Sequence, residues 1–272
     1  MRRAYVFLVF TLMAAGLSAA ANALEIKRGK PIQGGLVLLS AAPGASLTAN
    51  GEPLMLNAEG LAIIGFHRDE TDPVTITETD ADGQTSSITL TPEKREYLEQ
   101  RIDGLPKKMV TPPEEVLVRI GRDRENVIAA RSHATAISAF AGPIIWPVEG
   151  IITGVYGSRR VLNGEPRAPH YGIDIAAPKG TPVKAPADGI IRMADDLYFT
   201  GWTIILDHGH GMSSTFLHLE TTAVEVGDSV SQGQVIGTVG STGRSTGPHL
   251  DWRINVFGKR LDPMLIAGPM PQ

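Results

Sequence analysis

Pro169-His170-Tyr171-Gly172-Ile173-Asp174-Ile175-Ala176-Ala177-Pro178 sets an imidazole and a carboxylate four residues apart between prolines. Gly172 and the flanking prolines argue against a helix, so the segment reads as extended, with residues i, i+2 and i+4 on one face. His170 and Asp174 then point the same way as two candidate metal ligands. A catalytic zinc site usually takes three protein ligands and keeps a fourth position for water. The pair therefore needs a third donor from elsewhere in the chain.

The sequence around this stretch, from Pro143 onward, is broken by glycine or proline at nearly every turn, including Gly150, Gly154, Gly157, Pro182, Pro186 and Gly189. Runs such as Val183–Ile190 and Val226–Thr238 read as strands folding back through tight turns, as in a compact all-β domain. Four further histidines lie here: His208, His210, His218 and His249. In Phe216-Leu217-His218-Leu219, alternation puts Leu217 and Leu219 on the face opposite His218. In His249-Leu250-Asp251-Trp252-Arg253-Ile254, it puts Leu250, Trp252 and Ile254 in the core and His249, Asp251 and Arg253 outside it. His249 and Asp251 are thus companions for His170 and Asp174. His208 and His210 read as turn or rim residues, and Arg167 and Tyr156 as candidates to line a groove.

His170-x-x-x-Asp174, the segment around His218, and Gly243-Arg-Ser-Thr-Gly-Pro-His249-Leu-Asp251 resemble, in order, the signature of the LytM/lysostaphin-type (M23) zinc metallopeptidases that cut peptidoglycan. The resemblance covers about Trp146 to Pro263. It implies zinc as cofactor, His170 and Asp174 as metal ligands, and His218 and His249 as catalytic residues that orient and activate water. The family pattern has histidine where this chain has Asp251. Aspartate is itself an accepted zinc ligand, at about 2.0 to 2.2 Å, so Asp251 is the candidate third ligand; the other reading is a surface salt bridge, for instance to Arg253. Two carboxylates would formally neutralise the dication, making bound water less acidic. An inactive member of the family that activates a cell-wall amidase is the alternative function. The Val226–Thr238 strands also resemble lipoyl carriers, but the stretch from Arg192 to Trp202 offers no lysine to modify.

The rest of the chain frames this domain. Arg2 and Arg3 precede an apolar run from Ala4 to Leu17 and an Ala21-Asn22-Ala23 site, the pattern of a signal peptide over residues 1–23. The run is shorter than the roughly 20 residues that span a bilayer, and no later one approaches that length, so the mature protein is expected to have no integral membrane segment. Removing Arg2 and Arg3 takes 25 basic residues to 23 against 29 acidic, a net −6, which gives no reason to bind nucleic acid. The absence of cysteine excludes thiol nucleophiles, disulfides and a lipid-anchoring lipobox. With the export signal, it points to a bacterial periplasm. The expected substrate is then the stem peptides of peptidoglycan, at the D-alanyl to diaminopimelate cross-link.

Residues 24–92 alternate β-prone runs with turn signals, including Asn50-Gly51 and Asp82-Gly83 as type I′ hairpins, and read as a small β-sandwich with a regulatory or positioning role. Residues 93–142 read as a linker. Its helix begins near Pro112 in the capping box Thr111-Pro112-Pro113-Glu114 and carries a narrow apolar stripe of Val116, Leu117, Ile120, Val127 and Ile128. The expected fold is mainly β: an N-terminal sandwich, a connecting helix and a C-terminal all-β M23-type peptidase domain over residues 143–268.

Overall fold

The computed structural model describes residues 24–104 and 111–271; the expected signal peptide lies outside them. The fold is mainly β. Residues 25–90 form two stacked sheets. One holds strands Glu25–Gly29, Leu36–Ser40 and Leu61–Gly65; the other holds Glu52–Pro53, Ser46–Ala49, Val74–Thr79 and Thr85–Leu90. Strand alternation splits the central pair of faces. Val37, Leu39, Ala62 and Ile64 pack inward with Leu47, Phe66 and Ile76. Leu36, Leu38 and Ile63 point the other way and join a core with Val256 and Leu261 of the C-terminal sheet. A strand buried on both faces loses the apolar–polar alternation of a solvated one, and Leu36-Val-Leu-Leu39 is apolar throughout.

The first hairpin closes on Asn50 and Gly51 alone, at φ 49° and 88°, as a type I′ turn requires. The second does not. Its strands end at Thr79 and Thr85, and the Asp80 carboxylate accepts from the Asp82 and Gln84 N–H groups at 3.0 and 2.8 Å, which stabilises a wider loop.

The linker differs from expectation at its helix start. Pro113 is extended, with ψ 156°, and no side chain caps it; a 3-10 turn at Glu114–Val116 leads into the α-helix Leu117–Arg131. Pro112 precedes Pro113, and a residue before proline is disfavoured in the helical region, which keeps the helix from starting at Pro112. The helix packs against strands Gly189–Leu197 and Gly201–Gly209 through Ala130, which meets Met193, Leu197 and Ile205. Its apolar stripe stays partly open to solvent: Leu117 and Ile128 are more than half exposed. Upstream, Glu99–Ile102 is a strand that pairs in parallel with Arg159–Leu162.

The C-terminal sheet runs in the order Ser229–Val230, Gly189–Leu197, Gly201–Gly209, Met212–Thr222, His249–Val256, Ile173–Ala176, Ile151–Gly154. Leu250, Trp252 and Ile254 lie fully buried with Ile173 and Ile175. The alternate residues of these strands face the other way, and that face carries the site.

Candidate metal centre

Asp174 and Asp251 are direct partners across the antiparallel strands Ile173–Ala176 and His249–Val256. Like charges so placed repel, and three cationic or ionisable groups gather around them. His170 lies ahead of its strand, fixed by backbone hydrogen bonds to Gly157 (2.7 Å) and Ser158 (2.9 Å). Its Nε2 sits 3.1 Å from Asp174 Oδ1 and 3.4 Å from Asp251 Oδ2. It is aligned with neither oxygen for a hydrogen bond, so both ring nitrogens and Asp174 Oδ1 are buried without a hydrogen-bond partner. One ligand atom from each of His170, Asp174 and Asp251 lies within 4.8 Å of the others. Buried polar atoms left without partners, here on His170 and Asp174, are costly, and with Asp251 beside them the nitrogen and oxygen donors fit a zinc ion. The proposed ligand set of the sequence is brought together.

Each carboxylate also holds a guanidinium. Arg160 Nη2 donates to Asp174 Oδ2 at 2.7 Å, leaving Oδ1 to the cluster. Arg253 grips Asp251 at two points, Nε to Oδ1 at 2.9 Å and Nη2 to Oδ2 at 2.6 Å. This is the Arg253 pair that the sequence offered as a surface salt bridge, but Asp251 is only 1% exposed. Burial works to raise the Asp251 pKa; Arg253 and then His170 outweigh it and hold the carboxyl well below its usual range. Burial likewise opposes the His170 imidazolium, but Asp251 and Asp174 together keep its pKa above the ordinary value. Paired with Arg253, Asp251 contributes no net charge, so the expected full neutralisation of a dication by two carboxylates does not hold.

Two glycines make room for the carboxylates. A Cβ on Gly154 would overlap the Asp174 carboxylate, and one on Gly172 would come within 2.6 Å of Asp251 Oδ1 and 2.5 Å of Arg253 Cγ. Sequence reading uses Gly172 only as a helix breaker. Its role in clearing space for Asp251 depends on a strand nearly eighty residues away.

His218 and His249 lie beside the cluster with ring centroids 4.8 Å apart. His249 Nε2 is 3.9 Å from Asp174 Oδ1. His218 Nδ1 donates to the Thr242 carbonyl and His249 Nδ1 to the Gly247 carbonyl, each at 2.8 Å. A carbonyl can only accept, so both rings carry the proton on Nδ1 and leave Nε2 as an acceptor when neutral. Burial pushes the His218 pKa down to about 4.

The placement of His218 corrects the expected alternation. Leu217 is the cross-strand partner of Asp251 and shares its face. Trp202 pairs with Leu219 and Ile204 with Phe216, so Thr203 alone opposes both Leu217 and His218, a β-bulge. His218 takes φ 62° there, and the left-handed kink returns its ring to the same side as Leu217. Such backbone conformations cost energy and collect at functional sites.

Other expectations resolve differently. His210 sits in the turn between strands Gly201–Gly209 and Met212–Thr222, at φ 50°, but both it and His208 are buried, not at a rim. His208 Nδ1 meets the Asp188 carbonyl at 2.8 Å and its Nε2 meets Ser214 Oγ at 2.9 Å. Tyr156 is 2% exposed, with its hydroxyl donating to the Arg260 carbonyl, so it belongs to the core. Arg167 is exposed on strand Glu165–Arg167. The cleft over the His170–Asp174–Asp251 cluster holds about 330 Å³ and is lined by Asp174, His218, His249, Arg160, Gln100 and Ile102 among others. Gln100 and Ile102 come from strand Glu99–Ile102, within the stretch that the sequence reads only as linker.

Residues 168–263 match peptidase family M23. Over 103 residues, 38% of this chain and 24% of the relative, the chain is 43% identical to the DD-carboxypeptidase/endopeptidase Mpg of Neisseria meningitidis. It is 41% identical over the same shares to the peptidoglycan DD-endopeptidase ShyA of Vibrio cholerae. The chain thus spans about a quarter of the length of these curated relatives. A crystal structure assigned to peptidase M23 from Pseudomonas aeruginosa superposes with a TM-score of 0.66 at 28% identity, covering 88% of this chain and 96% of that one.

Proposed function

The C-terminal domain of this chain belongs to peptidase family M23, and from that premise we propose that the protein is a zinc-dependent endopeptidase acting on the peptide cross-links of peptidoglycan outside the cytoplasm. The observation that carries this reading is the convergence of His170, Asp174 and Asp251 on one point, with orphaned buried donor atoms, beside two imidazoles that offer unprotonated Nε2 atoms. A zinc ion held by those three residues would polarise a scissile carbonyl and lower the pKa of a water molecule.

The chain's own groups supply the remainder. Arg160 and Arg253 hold the two carboxylates in place. His249 Nε2 accepts a proton from water at the edge of the cluster and, once protonated, donates it toward the oxygen or leaving nitrogen that develops charge, while His218, kept neutral by burial, orients that water by accepting a hydrogen bond at Nε2. The DD-endopeptidase activity named for the relatives supports a D-alanyl to diaminopimelate bond as the target, and an extracytoplasmic substrate suits a periplasmic protein with a cleaved leader. Among the described residues, no helix is long and apolar enough to cross a membrane.

The test uses purified mature protein, its metal content measured, incubated with cross-linked muropeptides with and without a chelator. Stoichiometric zinc and chelator-sensitive release of un-cross-linked peptides are the expected result. A protein that holds no metal, cleaves nothing and instead stimulates a cell-wall amidase would overturn it.

A further inference from the structure

The polar row of the His249–Val256 strand continues beyond the metal cluster. Two residues past Asp251, about 7 Å along a strand, Arg253 enters a second cavity of about 760 Å³. Helix Leu117–Arg131 forms one wall with Ile120, Val127 and Ile128, and Thr215 and Leu217 lie in its lining. Because Leu217 is the cross-strand partner of Asp251 and Thr215 that of Arg253, the cavity lies on the same sheet face as the cluster. Of the two more-than-half-exposed stripe residues, Ile128 lines this cavity.

Three guanidinium groups from three elements meet in this cavity: Arg131 at the end of the helix, Arg253, and Arg260 from strand Lys259–Leu261. Arg131 Nη2 donates to Thr215 Oγ1 at 2.9 Å, while its Nε is buried without a partner. Arg260 has no hydrogen-bond acceptor for its guanidinium among the described residues and lies 5.6 Å from the centre of the Tyr171 ring. With Arg124, four arginines line the cavity against one aspartate, Asp123. That carboxylate is already engaged, accepting from the Tyr198 N–H at 2.8 Å and lying 3.8 Å from both Arg119 and Arg122. Convergent cations with unused donors and apolar walls match a carboxylate carried on a partly apolar body, since guanidinium donors favour the fork geometry of a carboxylate.

We propose that Arg131, Arg253 and Arg260 form a carboxylate-binding subsite of the cleavage groove, which takes a free carboxylate of the peptide substrate and selects it over the amidated form. This rests on the peptidase reading above. Arg253 has two duties, since it also holds Asp251, so Arg131 and Arg260 are the residues that isolate the subsite.

The experiment is calorimetric binding to the zinc-loaded mature protein and to the chelator-treated protein. The probes are an uncross-linked stem peptide with free carboxylates, the same peptide with every carboxylate amidated, and octanoate. Charge-assisted hydrogen bonds predict that the free acid binds about tenfold or more tightly than the amide, in both metal states. Arg131→Gln and Arg260→Gln should bring that ratio close to one with zinc content unchanged. Equal affinity for acid and amide in the wild type, or a ratio retained in both variants, overturns the subsite. So does octanoate binding more tightly than the peptide without competing with it, which would assign the cavity to an acyl anion. The two readings separate cleanly: selective binding without cleavage of cross-linked muropeptides removes the peptidase reading alone, and cleavage with equal KM for acid and amide removes the subsite alone.

Discussion

Arg253 closes a two-point fork on Asp251, with Nε 2.9 Å from Oδ1 and Nη2 2.6 Å from Oδ2, two residues along the same strand face. The pair is formally neutral, so at the position where the family pattern has a neutral histidine this chain presents an oxygen donor with no added net charge. Asp251→Ala should therefore abolish zinc binding and activity. It should also cost roughly 3 to 5 kcal/mol of stability, because it strands a largely buried guanidinium. Asp251→His alone should recover little metal, since the imidazole meets an unpaired Arg253, whereas Asp251→His with Arg253→Gln should recover it. Metal analysis and thermal melts of the three variants check this; full zinc content in Asp251→Ala would show that the ligand set is wrong.

Gly154→Ala and Gly172→Ala should displace Asp174 and Asp251 respectively without altering a metal-binding side chain. A disturbed carboxylate position is expected to weaken metal affinity roughly 10- to 100-fold. Competition with a chromogenic chelator measures it, and unchanged affinity in both variants would remove the glycines from the site.

His218, with its pKa pushed down to about 4 by burial, stays neutral through the mildly acidic range. If it works as a neutral group, the loss of kcat/KM attributable to it appears only as pH falls through about 4. His218→Ala should lower kcat by roughly 10² to 10⁴ and leave zinc bound. A rate unaffected by the substitution would assign His218 to structure alone.

His208 is neutral in the fold because burial depresses its pKa below the ordinary 6.5. The unfolded chain then binds the extra proton, so this contribution to stability is complete above about pH 6.5 and is lost as pH falls toward the folded value. His208→Asn should be less stable at pH 8 and lose less on acidification. Calorimetric melts between pH 8 and pH 5 that decline in parallel for the two proteins would reject that assignment.

The strand Glu99–Ile102 walls the cleft over His170, Asp174 and Asp251 through Gln100 and Ile102, while Leu36, Leu38 and Ile63 share a core with the C-terminal sheet. A protein beginning at Pro143 should thus cleave muropeptides faster and melt at a lower temperature than the full mature chain. Equal or slower cleavage would exclude an inhibitory role for the N-terminal part.

The sequence by itself determined which residues share a face. Period-two alternation places His249, Asp251 and Arg253 on one side of a strand and Leu250, Trp252 and Ile254 in the core, and the proline and glycine flanks of His170 and Asp174 keep that segment extended. Those patterns are local, and they brought four of the five site residues to the right side. His218 escaped the rule because a bulge, set by pairing with Trp202 and Ile204, breaks the alternation. Only the tertiary structure decided that Asp174 and Asp251 oppose each other, that Arg160 and Arg253 compensate them, and that the helix stripe faces a cavity. Each of these depends on which distant strands become neighbours, and residue spacing along one strand carries no information about the register of the next.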